Sequence, residues 1–286
     1  MPFEPITWQL RTRTLDTKDH TLIMGILNVT PDSFSDGGRW ATTEAAVERG
    51  RRLAESGADI VDVGGESTRP GAAPVEVSQE IDRVAPVIEA LSGDGIVVSV
   101  DTAKPEVAAA AIDAGAEIVN DITGLADPEM IPLCAATGVG VVIMHMQGTP
   151  ETMQDDPGYD DVVIEVAGFL AERSQAAVDG GIDAAAIVVD PGIGFGKTAT
   201  HNLQLLASLD EVALARPMLI GTSRKTFLGS ILEKAGRPSR PTDRDVATAA
   251  SLSLAISSGA AVVRVHDVEV ALEASRTADA IVRAQR

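Results

Sequence analysis

Asn28, Asp62, Asp101, Asn120, Asp121, His145, Asp190, Arg264 and His266 share a position: each lies at or near the end of a short apolar run rich in Val and Ile. A further run ends at Gly221 and leads into Ser223, Arg224 and Lys225. Carboxylates, amides, imidazoles and cations gathered at run ends are the groups that bind substrate, move protons and hold charge. Taken singly, an Asp in such a place is as readily a turn residue or a helix N-cap. The set as a whole is not, because capping has no use for Lys, Arg and His. Two glycine-rich stretches follow runs of this kind, 29–38 (VTPDSFSDGG, loop one) and 64–71 (GGESTRPG, loop two). Both are too long for a minimal turn, and both mix Gly and Pro with hydroxyls and charges, as mobile lids and phosphate cradles do. DPGIGFGKT looks like a nucleotide-binding P-loop, but the required first Gly is replaced by Pro191, and Gly192 is one residue too close to Gly196. ATP binding is therefore not expected there, and Lys197 reads as a surface residue at a helix start.

These residues need elements that bring them together. The runs are Leu22–Asn28, Asp59–Val63, Ile96–Asp101, Glu117–Asp121, Val139–His145, Ala186–Asp190, Pro217–Gly221 and Ala261–His266. They are short, β-branched and continuously apolar, as strands buried on both faces are. Between them lie Ala- and Glu-rich stretches with helical signals. One is 42–56, closed by Gly57, with Ala46, Val47, Leu53 and Ala54 as its inward stripe. Gly115, Gly138 and Gly259 stand where helix C-terminal caps would. Repeated strand–helix alternation at this length predicts a single-domain α/β fold, a (β/α)₈ TIM barrel over residues 21–286. A doubly wound open sheet is the runner-up. Residues 1–20 read as an arm or small hairpin closing the barrel bottom. In a barrel the run ends converge on one mouth, where catalytic loops sit.

Bulk composition excludes other classes. The 286 residues carry 42 Asp and Glu against 23 Lys and Arg, a net charge of −19. No nucleic-acid or anionic-membrane partner is expected, since both need a positive field. An anionic substrate looks equally unpromising by that measure. A single cysteine, Cys134, allows no internal disulfide, so a cytoplasmic protein is expected. The N-terminus lacks the apolar segment of a signal peptide, and no apolar window is long enough to span a membrane.

Long strings in the chain resemble the dihydropteroate synthases of the folate pathway. They are MGILNVTPDSFSDGG (24–38), DIVDVGGESTRPGA (59–72), SVDTAKPEVA (99–108), AGAEIVNDITG (114–124), IMHMQGTPETMQ (143–154), VVDPGIGFGKTATHN (188–202), IGTSRKTFLG (220–229) and VVRVHDV (262–268). Thr226 stands where a Ser is common, which keeps the hydroxyl. The resemblance implies a (β/α)₈ barrel that joins 6-hydroxymethyl-7,8-dihydropterin pyrophosphate to p-aminobenzoate, releasing pyrophosphate.

It also implies roles. Asp101, Asn120, Asp190 and Lys225 would hold the pterin edge, with Met144 and Phe195 as apolar walls and Arg264 over a ring face. Asn28, Thr68, Arg264 and His266 would bind the diphosphate, and Asn28 with Asp32 the magnesium ion. Phe34, Thr68, Arg69, Pro70, Ser223 and Lys225 would surround p-aminobenzoate. Asp32, Asp101, Lys225 and Arg264 would be catalytic. A homodimer acting on small-molecule substrates, with Mg²⁺, is implied. Two alternatives stand beside it: a non-catalytic pterin-binding paralogue, and a pterin-dependent methyltransferase barrel. His145 reads as a satisfied polar neighbour, His201 as the start of a helix and His20 as surface. Of five lysines, one, Lys225, is expected at the mouth.

Overall fold

A computed structural model describes residues 5–30, 39–68, 71–213 and 216–284. The chain opens with β1 (Thr7–Gln9) and β2 (Thr14–Asp16), followed by β3 (Leu22–Asn28) and α1 (Arg39–Glu55). Then come β4 (Ile60–Gly64), α2 (Val77–Gly93), β5 (Val98–Asp101), α3 (Pro105–Asp113), β6 (Ile118–Asp121) and α4 (Met130–Thr137). The second half runs β7 (Gly140–Met144), α5 (Val162–Asp179), β8 (Ile187–Asp190), α6 (Ala199–Ala207), α7 (Leu209–Ala213) and β9 (Met218–Ile220). It ends with α8 (Thr226–Lys234), α9 (Asp245–Ser257), β10 (Ala260–Val265) and α10 (Val268–Ala284). Strands β3 to β10 pair in parallel and close in the order β10-β3-β4-β5-β6-β7-β8-β9, the expected (β/α)₈ barrel. β1 and β2 form an antiparallel hairpin.

The strands are buried on both faces, which is why their sequences do not alternate. Along β3, Ile23 and Leu27 face the helices, while Leu22 and Met24 belong to the barrel interior. The interior cluster continues with Ile60, Ile118, Val142, Val188 and Val262, and Trp8 and Leu10 of the hairpin join it. Trp8 is fully buried and donates its indole N–H to the Ala186 carbonyl at 2.8 Å. The hairpin thus plugs the end of the barrel where the strands begin. The opposite end, where they finish, is left for the polar residues.

Element edges differ from expectation by a few residues. α1 begins at Arg39 rather than at residue 42; Ala46, Val47 and Leu53 are buried, and Ala54 is half-buried. β5 begins at Val98, not Ile96. Gly57, Gly115, Gly138 and Gly259 have positive φ beyond their helices, as expected of closing glycines. His20 is not a bare surface residue: it pairs with Asp59 at 2.9 Å, and Asp59 also accepts the Ile23 backbone N–H. No helix among the described residues is long and apolar enough to cross a membrane.

Candidate active site at the barrel mouth

Strand register builds the floor of the mouth. Asn28 pairs with Gly64, Gly64 with Asp101, and Asp101 with Asn120, so one continuous row crosses β3 to β6. Arg264 reaches over this row from β10. Its Nε donates to Asp62 at 2.6 Å and its Nη2 to Asp101 at 2.7 Å. Asn120 donates to the same Asp62 oxygen at 3.1 Å. Asp62 is fully buried, and Asp101, Asn120 and Asp190 nearly so. The second oxygens of Asp62 and Asp101 meet no donor among the described residues. Buried acceptors left open in this way mark a surface shaped for donors from elsewhere.

The electrostatics follow from this crowding. Burial, aided by neighbouring Asp62, raises the Asp101 carboxyl to about 7 against the pull of Arg264. Burial would lower the Arg264 guanidinium, but Asp62 and Asp101 outweigh it and hold its pKa above the ordinary value. Burial also lowers Lys225 to about 8, opposed by the attraction of Asp190, and it raises Asp190.

The loop after β8 forms one wall. Asp190 accepts the Gly192 backbone N–H at 2.7 Å. Lys225 donates to the Ile193 carbonyl, and its ammonium sits 4.4 Å from the centre of the Phe195 ring. Phe195 is thus a cation–π partner as well as an apolar surface. Met144 pairs in register with Asp190. Gly192, at φ +65°, lies where a Cβ would stand 1.8 Å from the His145 carbonyl oxygen. The loop is fastened by Lys197, which is buried rather than the surface residue expected. Its ammonium meets His145 Nδ1 at 2.9 Å, the Gly192 carbonyl at 3.0 Å and the Phe195 carbonyl at 2.9 Å. Glycine-rich backbone can pack this tightly only if its carbonyls find donors, and a lysine stem reaches several at once. Burial lowers Lys197 to about 7 and, with the nearby ammonium of Lys197, takes His145 down to about 3. His145 is the satisfied polar neighbour expected, and His201 caps α6 with Thr198.

On the far wall Ser223 Oγ accepts the His266 backbone N–H at 3.1 Å and lies 3.0 Å from His266 Nδ1. Thr68 is half-buried in loop two. Asp32, Phe34, Arg69 and Pro70 lie outside the described residues.

For a metal, the described residues contain no cluster of three His, Cys, Asp or Glu side chains. They offer the Asn28 amide oxygen. A Cβ on Gly64 would stand 3.8 Å from that oxygen and 3.7 Å from Asp101 Oδ2, so the absence of a side chain there keeps the space between them clear. A donor set this sparse suits a small hard cation that keeps waters and takes further oxygens from a phosphate. Three mouth residues do more than their sequence context suggests: Asp62, Lys104 and Lys197. Asp62 stands inside its run, and only the period of two along β4 turns it inward. Three of the five lysines, not one, belong to the loops at this end.

Comparison with known proteins agrees with the geometry. A family described as "Pterin binding enzyme" matches residues 24–266. Dihydropteroate synthase of Escherichia coli K12 is 45% identical over 268 residues, covering 93% of each chain. A probable bifunctional folylpolyglutamate synthase/dihydropteroate synthase of Haloferax volcanii is 49% identical over 251 residues, although the chain spans only 29% of that longer protein. The solved structure of Xanthomonas albilineans dihydropteroate synthase with 4-aminobenzoic acid superposes with a TM-score of 0.88 at 47% identity, covering 98% of this chain and 100% of that one. The chain belongs to the pterin-binding enzyme family, among the dihydropteroate synthases, transferases of folate synthesis.

Proposed function

We propose that this mouth joins the exocyclic methylene carbon of 6-hydroxymethyl-7,8-dihydropterin pyrophosphate to the amine of p-aminobenzoate, giving 7,8-dihydropteroate and pyrophosphate. The observation that carries the reading is the floor: Arg264 held between Asp62 and Asp101, with Asn120 beside them. A pterin ring presents N–H donors and ring acceptors along one edge. Reading it without loss requires a fixed partner for each. Asp101, Asn120 and Asp190 supply acceptors, and Lys225 supplies a donor. Phe195 and Met144 flank the ring, and the planar Arg264 guanidinium stacks on its face.

In the reaction the C–O bond breaks and its electron pair leaves with pyrophosphate. The carbon becomes a cation delocalised into the ring, which the Asp101 and Asp32 carboxylates stabilise. The lone pair of the arylamine forms the C–N bond, and the amine proton passes to solvent. A weakly basic amine needs no strong base, but water must be kept from the cation. That is the task assigned to loops one and two, with Phe34, Thr68, Arg69, Pro70, Ser223 and Lys225 around p-aminobenzoate. Thr68, Arg264 and His266 hold the diphosphate. Magnesium, when bound, would neutralise charge on the leaving diphosphate; Asn28, joined by Asp32, would hold it.

Mixing the protein with the pterin pyrophosphate, Mg²⁺ and p-aminobenzoate tests the reading. Release of pyrophosphate together with dihydropteroate is expected, with sulfonamides competing against p-aminobenzoate. Pterin binding without release of pyrophosphate would instead make the chain a non-catalytic paralogue. A homodimer is supported by Leu203 on α6, Ile231 on α8, and Val246 and Leu254 on α9, which are exposed apolar residues of the C-terminal helices. Sedimentation of the wild type as a dimer and of Leu254→Arg as a monomer is expected; two equal masses would remove this face from the interface.

A further inference from the structure

Loop two leaves β4 at Gly64 and rejoins regular structure at α2, and its two feet are neighbours in space. The Glu66 carboxylate at the first foot accepts the backbone N–H of Val75 at the second, at 2.8 Å. One ammonium then ties both feet. Lys104 Nζ donates to Glu66 Oε2, to the Val75 carbonyl and to Glu80 Oε2, each at 2.6 Å. Three donors meet three acceptors, so the ammonium is fully occupied by protein. Glu80 is 1% exposed, and its other oxygen accepts from Thr102 Oγ1 at 2.8 Å. The root of the loop is pressed against α2 as well: Arg83 donates to the Gly65 carbonyl at 2.7 Å, and a Cβ on Gly65 would stand 2.8 Å from Val84.

The anchor is not placed at random. Thr102 and Lys104 follow Asp101 within three residues, so the segment that presents Asp101 to Arg264 also grips loop two. Burial works against the ammonium of Lys104, but the hydrogen bonds it donates to Glu66 and Glu80 keep its pKa above the ordinary value. The ammonium therefore stays protonated at neutral pH.

We propose that Lys104 is a positioning residue for p-aminobenzoate: by holding Glu66 and Val75 together against Glu80, it sets where Thr68 stands relative to the pterin floor. This rests on the reading that loop two contacts p-aminobenzoate. The residue touches no substrate itself, so its loss acts through loop two and leaves pterin recognition on the strand tips in place.

The test compares steady-state kinetics and pterin pyrophosphate binding in Lys104→Met, Glu66→Gln, the double variant Lys104→Met/Glu80→Gln, and Arg69→Ala. The double variant removes the buried carboxylate charge together with the ammonium, and so serves if Lys104→Met alone does not fold. The clamp variants are expected to raise KM for p-aminobenzoate by about tenfold or more while pterin pyrophosphate affinity stays within about twofold. Equal losses for both substrates would overturn the proposal, since a merely structural lysine would damage both. If Arg69→Ala raises the p-aminobenzoate KM and the folded clamp variants do not, the clamp is wrong and the loop-two reading stands. If Arg69→Ala also leaves that KM unchanged, the loop-two reading falls and takes the clamp with it.

Discussion

The floor of the mouth and the loop above it are each organised by a half-buried cation held between carboxylates, and the two cations are used differently. On the floor, Arg264 divides its guanidinium between Asp62 and Asp101, whose remaining oxygens stay open. At the foot of loop two, Lys104 gives all three donors to Glu66, Val75 and Glu80. The first arrangement is structural and functional at once. The second is structural at a distance from the chemistry. Charge on the floor therefore cannot be altered without altering binding, whereas the loop can be loosened while the floor remains.

The largest effects should come from the floor. Arg264→Met leaves the carboxylates of Asp62 and Asp101 buried without their cation, and breaking such a pair from one side costs about 3–5 kcal/mol. Denaturant unfolding should show that loss, and pyrophosphate release should be abolished. Wild-type stability in this variant would mean that Arg264 is not what holds the two carboxylates. Lys225→Ala should lower turnover by at least about 100-fold with a smaller loss of stability, because its partner Asp190 keeps the Gly192 N–H. Near-wild-type turnover would remove Lys225 from the pocket. Gly192→Ala should unfold the wall after β8, since the new methyl would meet the His145 carbonyl. A soluble, fully active Gly192→Ala enzyme would contradict the tight packing of that loop.

A pH profile separates the two regions. Asp101 sits at about 7 in the free protein because burial disfavours its charge. The carboxylate is the form that pairs with Arg264, so kcat/KM for the pterin pyrophosphate should fall about tenfold per unit as pH drops below about 7. Stability runs the other way. The native state keeps a proton that the unfolded chain releases near about 4, so this group's contribution to stability declines as pH rises from about 4 to about 7. Asp101→Asn should remove the acidic limb and lower the plateau; the diphosphate's own titration is common to both enzymes and cancels in the ratio. An unchanged limb in that variant would assign it elsewhere. Lys104, held above its ordinary value, keeps its charge through this interval, so its ammonium should add no limb to the p-aminobenzoate KM.

How legible each residue is in the sequence depends on where its partners lie. The eight strands can be read because burial on both faces leaves a continuous Val and Ile run, a purely local signal. Asn28, Asp101, Asn120 and Asp190 stand out because a polar residue closing such a run points into the mouth rather than into the apolar layers beside it. Asp62 is visible but shows no role, because it sits within its run and its partner Arg264 is 202 positions away in sequence. Lys197 reads as surface because its acceptors depend on backbone conformation: the Gly192 carbonyl turns toward it only in a loop with left-handed glycines. Lys104 stands at the N-cap of α3, and nothing local in the sequence announces that Glu66 and Glu80 converge on it. The net charge of −19 misleads for a related reason, since a total says nothing about which cations fold to the same end of a barrel.

The smallest expected effect is the sharpest test of the comparison. Gly71 in loop two and Gly192 on the wall both have left-handed backbones, at φ +77° and +65°. Their surroundings differ. Among the described residues nothing lies within 4 Å of where a Cβ on Gly71 would stand, whereas Gly192 faces a carbonyl oxygen at 1.8 Å. Gly71→Ala therefore carries only the backbone penalty of a left-handed Ala, about 1–2 kcal/mol. That penalty falls on a loop whose feet are held separately by Lys104, so it should shift the loop and leave the barrel alone. Among the described residues the hydrogen bond at stake is the Gly71 N–H to the Pro150 carbonyl, 3.1 Å. The p-aminobenzoate KM should rise a few-fold, with pterin pyrophosphate affinity and melting temperature close to wild type. If Gly71→Ala melted as early as Gly192→Ala, loop two would be part of the barrel's cooperative core, and the division between floor and loop would not hold.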